Sequence, residues 1–341
     1  MITKTEIEEI RMYLKKAENP LFFYDDDQDG LASYILLSKY IDKGKGIALK
    51  SSPVLDNIYL RKIKELSPDY IFILDKPILT QEFVDQVKVP IIWIDHHPVI
   101  DIKGVKHYNP RIHDENDNRP TSYWCYQITK QNLWIAMCGI IGDWYVPEYI
   151  EDFVKQYPDI IKNYKNPGKI LFETEFGKLI RLIGFLLKGN ITQIKKNVAV
   201  LKKIESPYEI LNQTNSRGKF LYKHFEKIEK NYQEIMSIAK KRVTRSKLLI
   251  FTYPANRHSL TSFLSNELLH TYPNKIIIIG REKEDQMIMS FRSAKIKVLP
   301  ILEKALIGIN GHGGGHDHAC GGGVAIEQFD EFIENFKKAM K

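Results

Sequence analysis

Three short apolar runs in the first hundred residues each stop on acid or imidazole, and this repetition limits the fold more than anything else in the chain. Leu21-Phe22-Phe23-Tyr24 runs into Asp25-Asp26-Asp27-Gln28-Asp29-Gly30. Tyr70-Ile71-Phe72-Ile73-Leu74 stops at Asp75, and Ile91-Ile92-Trp93-Ile94 stops at Asp95-His96-His97. Apolar runs this short have the length of buried strands. Four acids within residues 25–29 repel one another, and alone they read equally well as a solvated loop. Three strands that each deliver carboxylate or imidazole at the carboxyl end instead describe a metal site on a parallel sheet, at the edge where open α/β folds gather their ligands.

The intervening segments read as helices, over 31–40, 57–66 and 81–87, and a further strand is expected at 47–49. Alternation of short apolar runs with helical segments is the βαβ pattern, so the expected fold is α/β with a doubly wound, mainly parallel sheet. Gly30 is expected to permit a tight strand-to-helix turn. A helix from about Ser122 has Thr121 as a candidate cap. The apolar run Leu133 to Ile141 ends in Gly142-Asp143, and an acid at the end of a buried segment needs a partner or a metal. Asp143 is therefore a further ligand candidate, although a helix cap or an ion-pair partner accounts for it equally well.

At 341 residues the chain has room for two domains. Leu221, Phe225, Ile228, Tyr232, Ile235, Ala239 and Val243 keep three–four spacing, the mark of one long amphipathic helix. Beyond it a second, smaller α/β unit is expected: a strand at 247–252, a helix at 259–270, strands at 275–279 and 286–291, and helices at 298–307 and from 330 onward. The expected organisation is thus a catalytic domain over 1–215, a connector helix over 216–244, and a C-terminal domain over 245–341.

No run of about eighteen apolar residues occurs, so no membrane span is expected. Cys125, Cys138 and Cys320 show no CxxC spacing, which argues against zinc and for reduced thiols in a cytoplasm. The net charge of +8 is uneven, with ten Lys/Arg against three Glu between Arg217 and Lys247. Basic surface beside an acidic, metal-filled pocket suits a polyanionic substrate, and an ordinary solvated helix explains the same count. The segment Gly311 to Gly323 reads as a Gly-rich loop, with a metal tract of its three histidines and Asp317, or a plain flexible turn, as the alternatives. Its exposed N–H groups would let a phosphate come close, with Arg292 as a companion clamp.

Asp25-x-Asp27-x-Asp29-Gly30, the lone Asp75, Asp95-His96-His97 and Asp143 resemble, in order and spacing, the four motifs of the DHH phosphoesterase superfamily. Ser290-Phe291-Arg292-Ser293 with Gly313-Gly314-Gly315-His316 resembles the DHH-associated C-terminal domain of its RecJ and oligoribonuclease branch. Pyrophosphatase-like members usually place a histidine where this chain has Phe23; here Asp25 precedes Asp27 and Asp29, as in RecJ-type nucleases, including the archaeal ones.

The resemblance implies two divalent ions, manganese most often, with magnesium as the alternative. Asp27 and Asp75, with Asp25 as a further candidate ligand, would hold one. Asp29, Asp75, His96 and Asp143 would hold the other. His97 would bind the phosphoryl oxygen or protonate the leaving group, with Asp95 orienting a histidine ring, while Arg292, Gly313, Gly314, Gly315 and His316 would grip the terminal nucleotide. The implied activity is exonucleolytic hydrolysis of single-stranded DNA or RNA, or of short oligonucleotides, to 5′-mononucleotides. A phosphodiesterase of linear or cyclic dinucleotides and a catalytically silent replication scaffold are the alternatives. A homodimer or a replication or repair partner also falls within the implied range.

Overall fold

The computed structural model describes residues 1–50, 54–255 and 258–340. It divides into two compact units, Met1–Tyr222 and Lys223–Lys341.

The first unit opens with α1 (Lys4–Lys16), started by a capping box in which Thr3 and Glu6 satisfy each other's backbone N–H. There follow β1 (Leu21–Asp25), α2 (Gln28–Tyr40), β2 (Lys45–Leu49), β3 (Val54–Leu55), α3 (Leu60–Leu66), β4 (Ile71–Leu74), β5 (Ile78–Leu79), α4 (Gln81–Gln86), β6 (Ile91–Ile94) and β7 (Lys106–Tyr108). Next come α5 (Thr121–Thr129) and α6 (Leu133–Gly142), then a run of short helices: α7 (Ile150–Gln156), α8 (Pro167–Glu173), α9 (Glu175–Leu186), α10 (Ile191–Leu201) and α11 (Pro207–Leu211). The long helix α12 (Ser216–Lys241) begins in this unit and continues into the second.

The main sheet runs β2-β1-β4-β6-β7, parallel throughout, while β3 and β5 form a separate parallel pair. Strand order therefore reverses between β1 and β4, and that crevice is the topological switch point at which doubly wound sheets bind ligands. Both faces of the sheet are covered, which is why its strands are apolar without alternation. On one face Phe23, Ile73 and Trp93 pack with Leu55, Leu79 and Phe83. On the other, Phe22 stacks on Phe72 at 5.0 Å and meets Tyr34 of α2 at 5.5 Å.

In the first unit the expected elements are present, with three differences. Helix α2 begins at Gln28 rather than Leu31, so the acidic run is not a loop: Asp27 is the N-cap and Asp29 lies in the first turn. Gly30 serves close approach rather than a turn, since a Cβ there would stand 2.6 Å from the Asp25 backbone. Thr121 is not the cap of α5 but its first residue, after Pro120.

His107 on β7 stacks on Trp93, with ring centroids 3.7 Å apart, and its Nε2 is buried without a hydrogen-bond partner among the described residues. Burial lowers its pKa to about 4. The unfolded chain therefore binds this proton more readily, and stability falls as pH drops below the ordinary histidine range. Between pH 7 and 5 the loss from this group is about 2 kcal/mol. His107→Phe, which keeps the stacking, should remove that increment when urea unfolding is compared at the two pH values. An unchanged acid slope would refute the assignment.

In the second unit, β8 (Leu248–Tyr253), α13 (Thr261–Thr271), β9 (Ile276–Lys283), β10 (Gln286–Ser293), α14 (Leu299–Ala305), β11 (Gly311–His316), β12 (Ala319–Ala325) and α15 (Phe329–Ala339) follow α12. They build a mixed sheet in the order β11-β12-β10-β9-β8, parallel only between β8 and β9. The apolar stripe of α12 is buried, and Tyr232 donates to Glu267 of α13 at 2.6 Å. The Gly-rich segment is not a loop. It forms the edge hairpin β11–β12, because glycines at 311, 313 and 322 admit neighbours that a Cβ would meet at under 3 Å; for Gly313 the neighbour is Leu302 of α14. The three cysteines are free and buried. Among the described residues, no helix is long and apolar enough to cross a membrane.

Candidate metal centre

Asp75 is the pivot of the site. It leaves β4 in the left-handed backbone region, φ 57°, a conformation that costs most residues about 1–2 kcal/mol and that Asp tolerates better than most. Its buried carboxylate places Oδ1 3.4 Å from His96 Nε2 and 4.0 Å from His97 Nδ1, and accepts from Thr121 Oγ1 at 3.3 Å. Burial opposes the charge on Asp75. The His96 hydrogen bond and the charge on both imidazoles outweigh it and hold the carboxyl below the usual carboxylate range.

Asp29 faces Asp75 from α2. It accepts from the backbone N–H of Thr121 and of Ser122, each at 2.8 Å, and from the Ser122 hydroxyl. Those two N–H groups open α5, and Pro120 before them has no side-chain acceptor. Asp29 thus caps α5 from a distant part of the chain. Burial, reinforced by the charges of Asp75 and Asp143, pushes its carboxyl well above the usual range.

Asp143 is the C-cap of α6, at the negative end of the helix dipole. Burial raises its pKa to about 6 against the pull of His96, whose Nε2 lies 3.6 Å from Asp143 Oδ2. Burial works against a proton on His96, yet Asp143 and Asp75 hold its pKa well above the ordinary histidine value. His96 Nδ1 is buried without a hydrogen-bond partner among the described residues.

Two sets of donor atoms come within 4.8 Å of one another: Asp29, His96 and Asp143, and Asp75, His96 and His97. Asp29 and Asp143, raised chiefly by burial, and Asp75 meet around the buried His96 imidazole, whose Nε2 faces Asp75 and Asp143, a donor set that fits a cation. Hard oxygens with one or two imidazoles fit manganese or magnesium.

Asp95 is fully buried and orients His97. Its Oδ1 lies 2.8 Å from His97 Nδ1, and Oδ2 accepts from His97 N at 3.0 Å and from Asn109 Nδ2 at 3.3 Å. Burial lowers the His97 pKa, but the Asp95 hydrogen bond and charge more than reverse this.

Asp25 and Asp27 stand apart, belonging to neither set among the described residues. Asp27 Oδ1 accepts from Gly30 N at 2.9 Å as the cap of α2. Asp25 Oδ1 accepts from Lys76 Nζ at 2.7 Å, and the Lys76 side chain is fully buried. Burial raises both carboxyls; Lys76 pulls that of Asp25 back down, and the charge of Asp75 raises that of Asp27 further.

In the second unit, Arg292, Ala319 and His316 lie in one cross-strand row of β10, β12 and β11, so Arg292 and His316 share a face. Arg292 donates through Nε to Asn266 Oδ1 at 2.7 Å and through Nη1 to the carbonyls of Phe291 and Cys320 at 2.9 and 3.0 Å. Its Nη2 amino group has no partner among the described residues. Gly314 lies on the exposed edge strand, with nothing within 4 Å of where a Cβ would stand. Gly315 has φ +134°.

Lys76, Ser122, Asn109 and Trp144 escaped the sequence reading. Three are polar residues near motif acids with no spacing of their own. Trp144 follows Asp143 directly, with φ 62° and 42% exposure, a rare backbone for a bulky residue.

Residues 249–341 match the DHHA1 domain family. The fold matches RecJ in complex with Mn2+ from Thermus thermophilus, with a TM-score of 0.69 and 12% identity over 98% of this chain and 54% of that one. This chain therefore spans about half the length of that RecJ. It also matches an exonuclease RecJ bound to manganese, with a TM-score of 0.65 and 12% identity over 98% of this chain and 94% of the other. Cdc45 from Entamoeba histolytica matches with a TM-score of 0.53 and 11% identity over 98% of both chains. No curated protein matches the sequence significantly. The α/β architecture expected from the sequence is thus the RecJ-like DHH fold, with its associated C-terminal domain.

Proposed function

We propose that this RecJ-like DHH protein is a metal-dependent phosphodiesterase that hydrolyses single-stranded or short oligonucleotides from an end, releasing 5′-mononucleotides. The observation that carries the reading is the convergence of Asp29 after β1, Asp75 after β4, His96 after β6 and Asp143 at the end of α6, in two donor sets that share His96. Asp29, Asp75, His96 and Asp143 would hold one of two divalent ions, manganese or magnesium. Bound there, such an ion lowers the pKa of a coordinated water and screens the phosphate under attack.

The protein's own residues supply the rest. Asp95 anchors His97 through Nδ1 and favours its protonated form, leaving Nε2 to donate to a phosphoryl oxygen or to the departing oxygen. Asn109 fixes Asp95 and the His97 carbonyl together. Trp144, which follows Asp143 in the chain and packs a half-exposed ring against Phe172, would offer a surface on which a base can stack. In the second unit, the Arg292 Nη2 group and the open edge at Gly314, with Gly313, Gly315 and His316 around it, make a phosphate subsite.

The deciding experiment is a chain-length series of labelled oligonucleotides, DNA and RNA, incubated with Mn2+. Stepwise release of mononucleotides from the longer members supports the reading. Cleavage of dimers alone would replace it with a dinucleotide phosphodiesterase, and no cleavage of any member would replace it with a silent scaffold. Arg292→Lys keeps the charge but loses the fork. It should raise KM roughly tenfold with kcat unchanged; an unchanged KM would remove Arg292 from the subsite.

A further inference from the structure

Lys76 is a buried cation at the end of β4, immediately after Asp75. Its ammonium lies 2.7 Å from Asp25 Oδ1, with none of its side chain exposed. A buried lysine is retained when its charge is matched, and a buried carboxylate likewise. Asp25 and Lys76 satisfy that demand for each other.

This pair falls where the resemblance places one of two ions, at the carboxylates of Asp25, Asp27 and Asp75. The same three acids do not form a donor set here. The donor sets that do form join Asp75 to His96 and His97, and Asp29 to His96 and Asp143. An ammonium contacting Asp25 excludes a divalent cation from the same oxygen, because two cations within hydrogen-bonding distance of one acceptor repel strongly in a buried setting.

We propose that Lys76 takes the place of one of the two cations, so that the chain holds a single divalent ion, at Asp29, Asp75, His96 and Asp143. The proposal rests on the metal-dependent reading above and changes its stoichiometry. Asp25 becomes the counter-ion of Lys76, and Lys76 supplies a fixed positive charge where an exchangeable ion would otherwise sit. Such a charge can attract a phosphate oxygen without depending on metal supply.

The test is Mn2+ titration of the full chain, read by calorimetry and by electron paramagnetic resonance. One Mn2+ per chain with the spectrum of an isolated ion is expected. Two per chain with an exchange-coupled spectrum would overturn the proposal and leave the metal-dependent reading standing, whereas no binding would overturn both. Lys76→Met keeps the length of the side chain while freeing Asp25, and should raise the stoichiometry from one to two and introduce coupling. A variant that still binds one would overturn the role of Lys76. Should Lys76→Met fail to fold, Asp25→Asn serves instead: its stoichiometry should stay at one, and loss of the ion would count against the proposal.

Discussion

Asp75→Asn is expected to abolish hydrolysis while leaving the protein folded. Asparagine keeps the volume of the side chain and is one of the few residues at ease in the left-handed backbone that position 75 adopts at φ 57°. Alanine there would add about 1–2 kcal/mol of backbone strain and confuse a folding defect with a chemical one. What asparagine removes is the negative charge that Asp75 shares with His96 and His97. Without it the cation loses its central ligand. The transition state then loses several kcal/mol of charge stabilisation, and about 4 kcal/mol corresponds to a thousandfold fall in kcat. Circular dichroism and thermal unfolding should stay near those of the parent, and Mn2+ affinity should fall with the rate. A variant that turns over at near-normal speed would show that Asp75 does not hold the ion.

Much of this arrangement was legible before the structure, for a simple reason. Buried parallel strands are apolar on both faces, so the point where each stops is visible in the sequence as a sudden acid. β1, β4 and β6 announced themselves in this way, and with them Asp25, Asp75 and Asp95. Asp143 was visible because an acid that closes a buried apolar run needs a cap role, an ion-pair partner or a metal. What stayed hidden were the cross-chain partners. Nothing near Asp29 says that it will cap α5, more than ninety residues away. Nothing in Asp75-Lys76-Pro77 says that the lysine will turn inward to Asp25.

The glycine-rich segment misled for the opposite reason. Glycine suggests freedom, yet Gly313 is required because Leu302 packs where its side chain would be, and the segment is a strand. Composition reports what a backbone can do. Only the neighbours decide what it does.

Asp143→Asn should move stability and function in opposite directions. Burial first, then the negative end of α6 and the charges of Asp75 and Asp29, oppose the Asp143 carboxylate in the absence of a cation, against the pull of His96. About a third of the side chain reaches solvent, 36%, which screens part of that repulsion. The gain on neutralising it in the metal-free protein should therefore be modest, about 1 kcal/mol. His96 would lose one of its two acidic neighbours, which keeps the gain from being larger. With Mn2+ present the ranking should reverse. The parent gains stability in proportion to the logarithm of free metal over its dissociation constant, and a variant that has lost a ligand does not. Thermal unfolding with and without Mn2+, run on both proteins, makes four measurements whose order is fixed in advance. If Asp143→Asn is less stable than the parent without metal, the carboxylate is held by local partners rather than reserved for an ion.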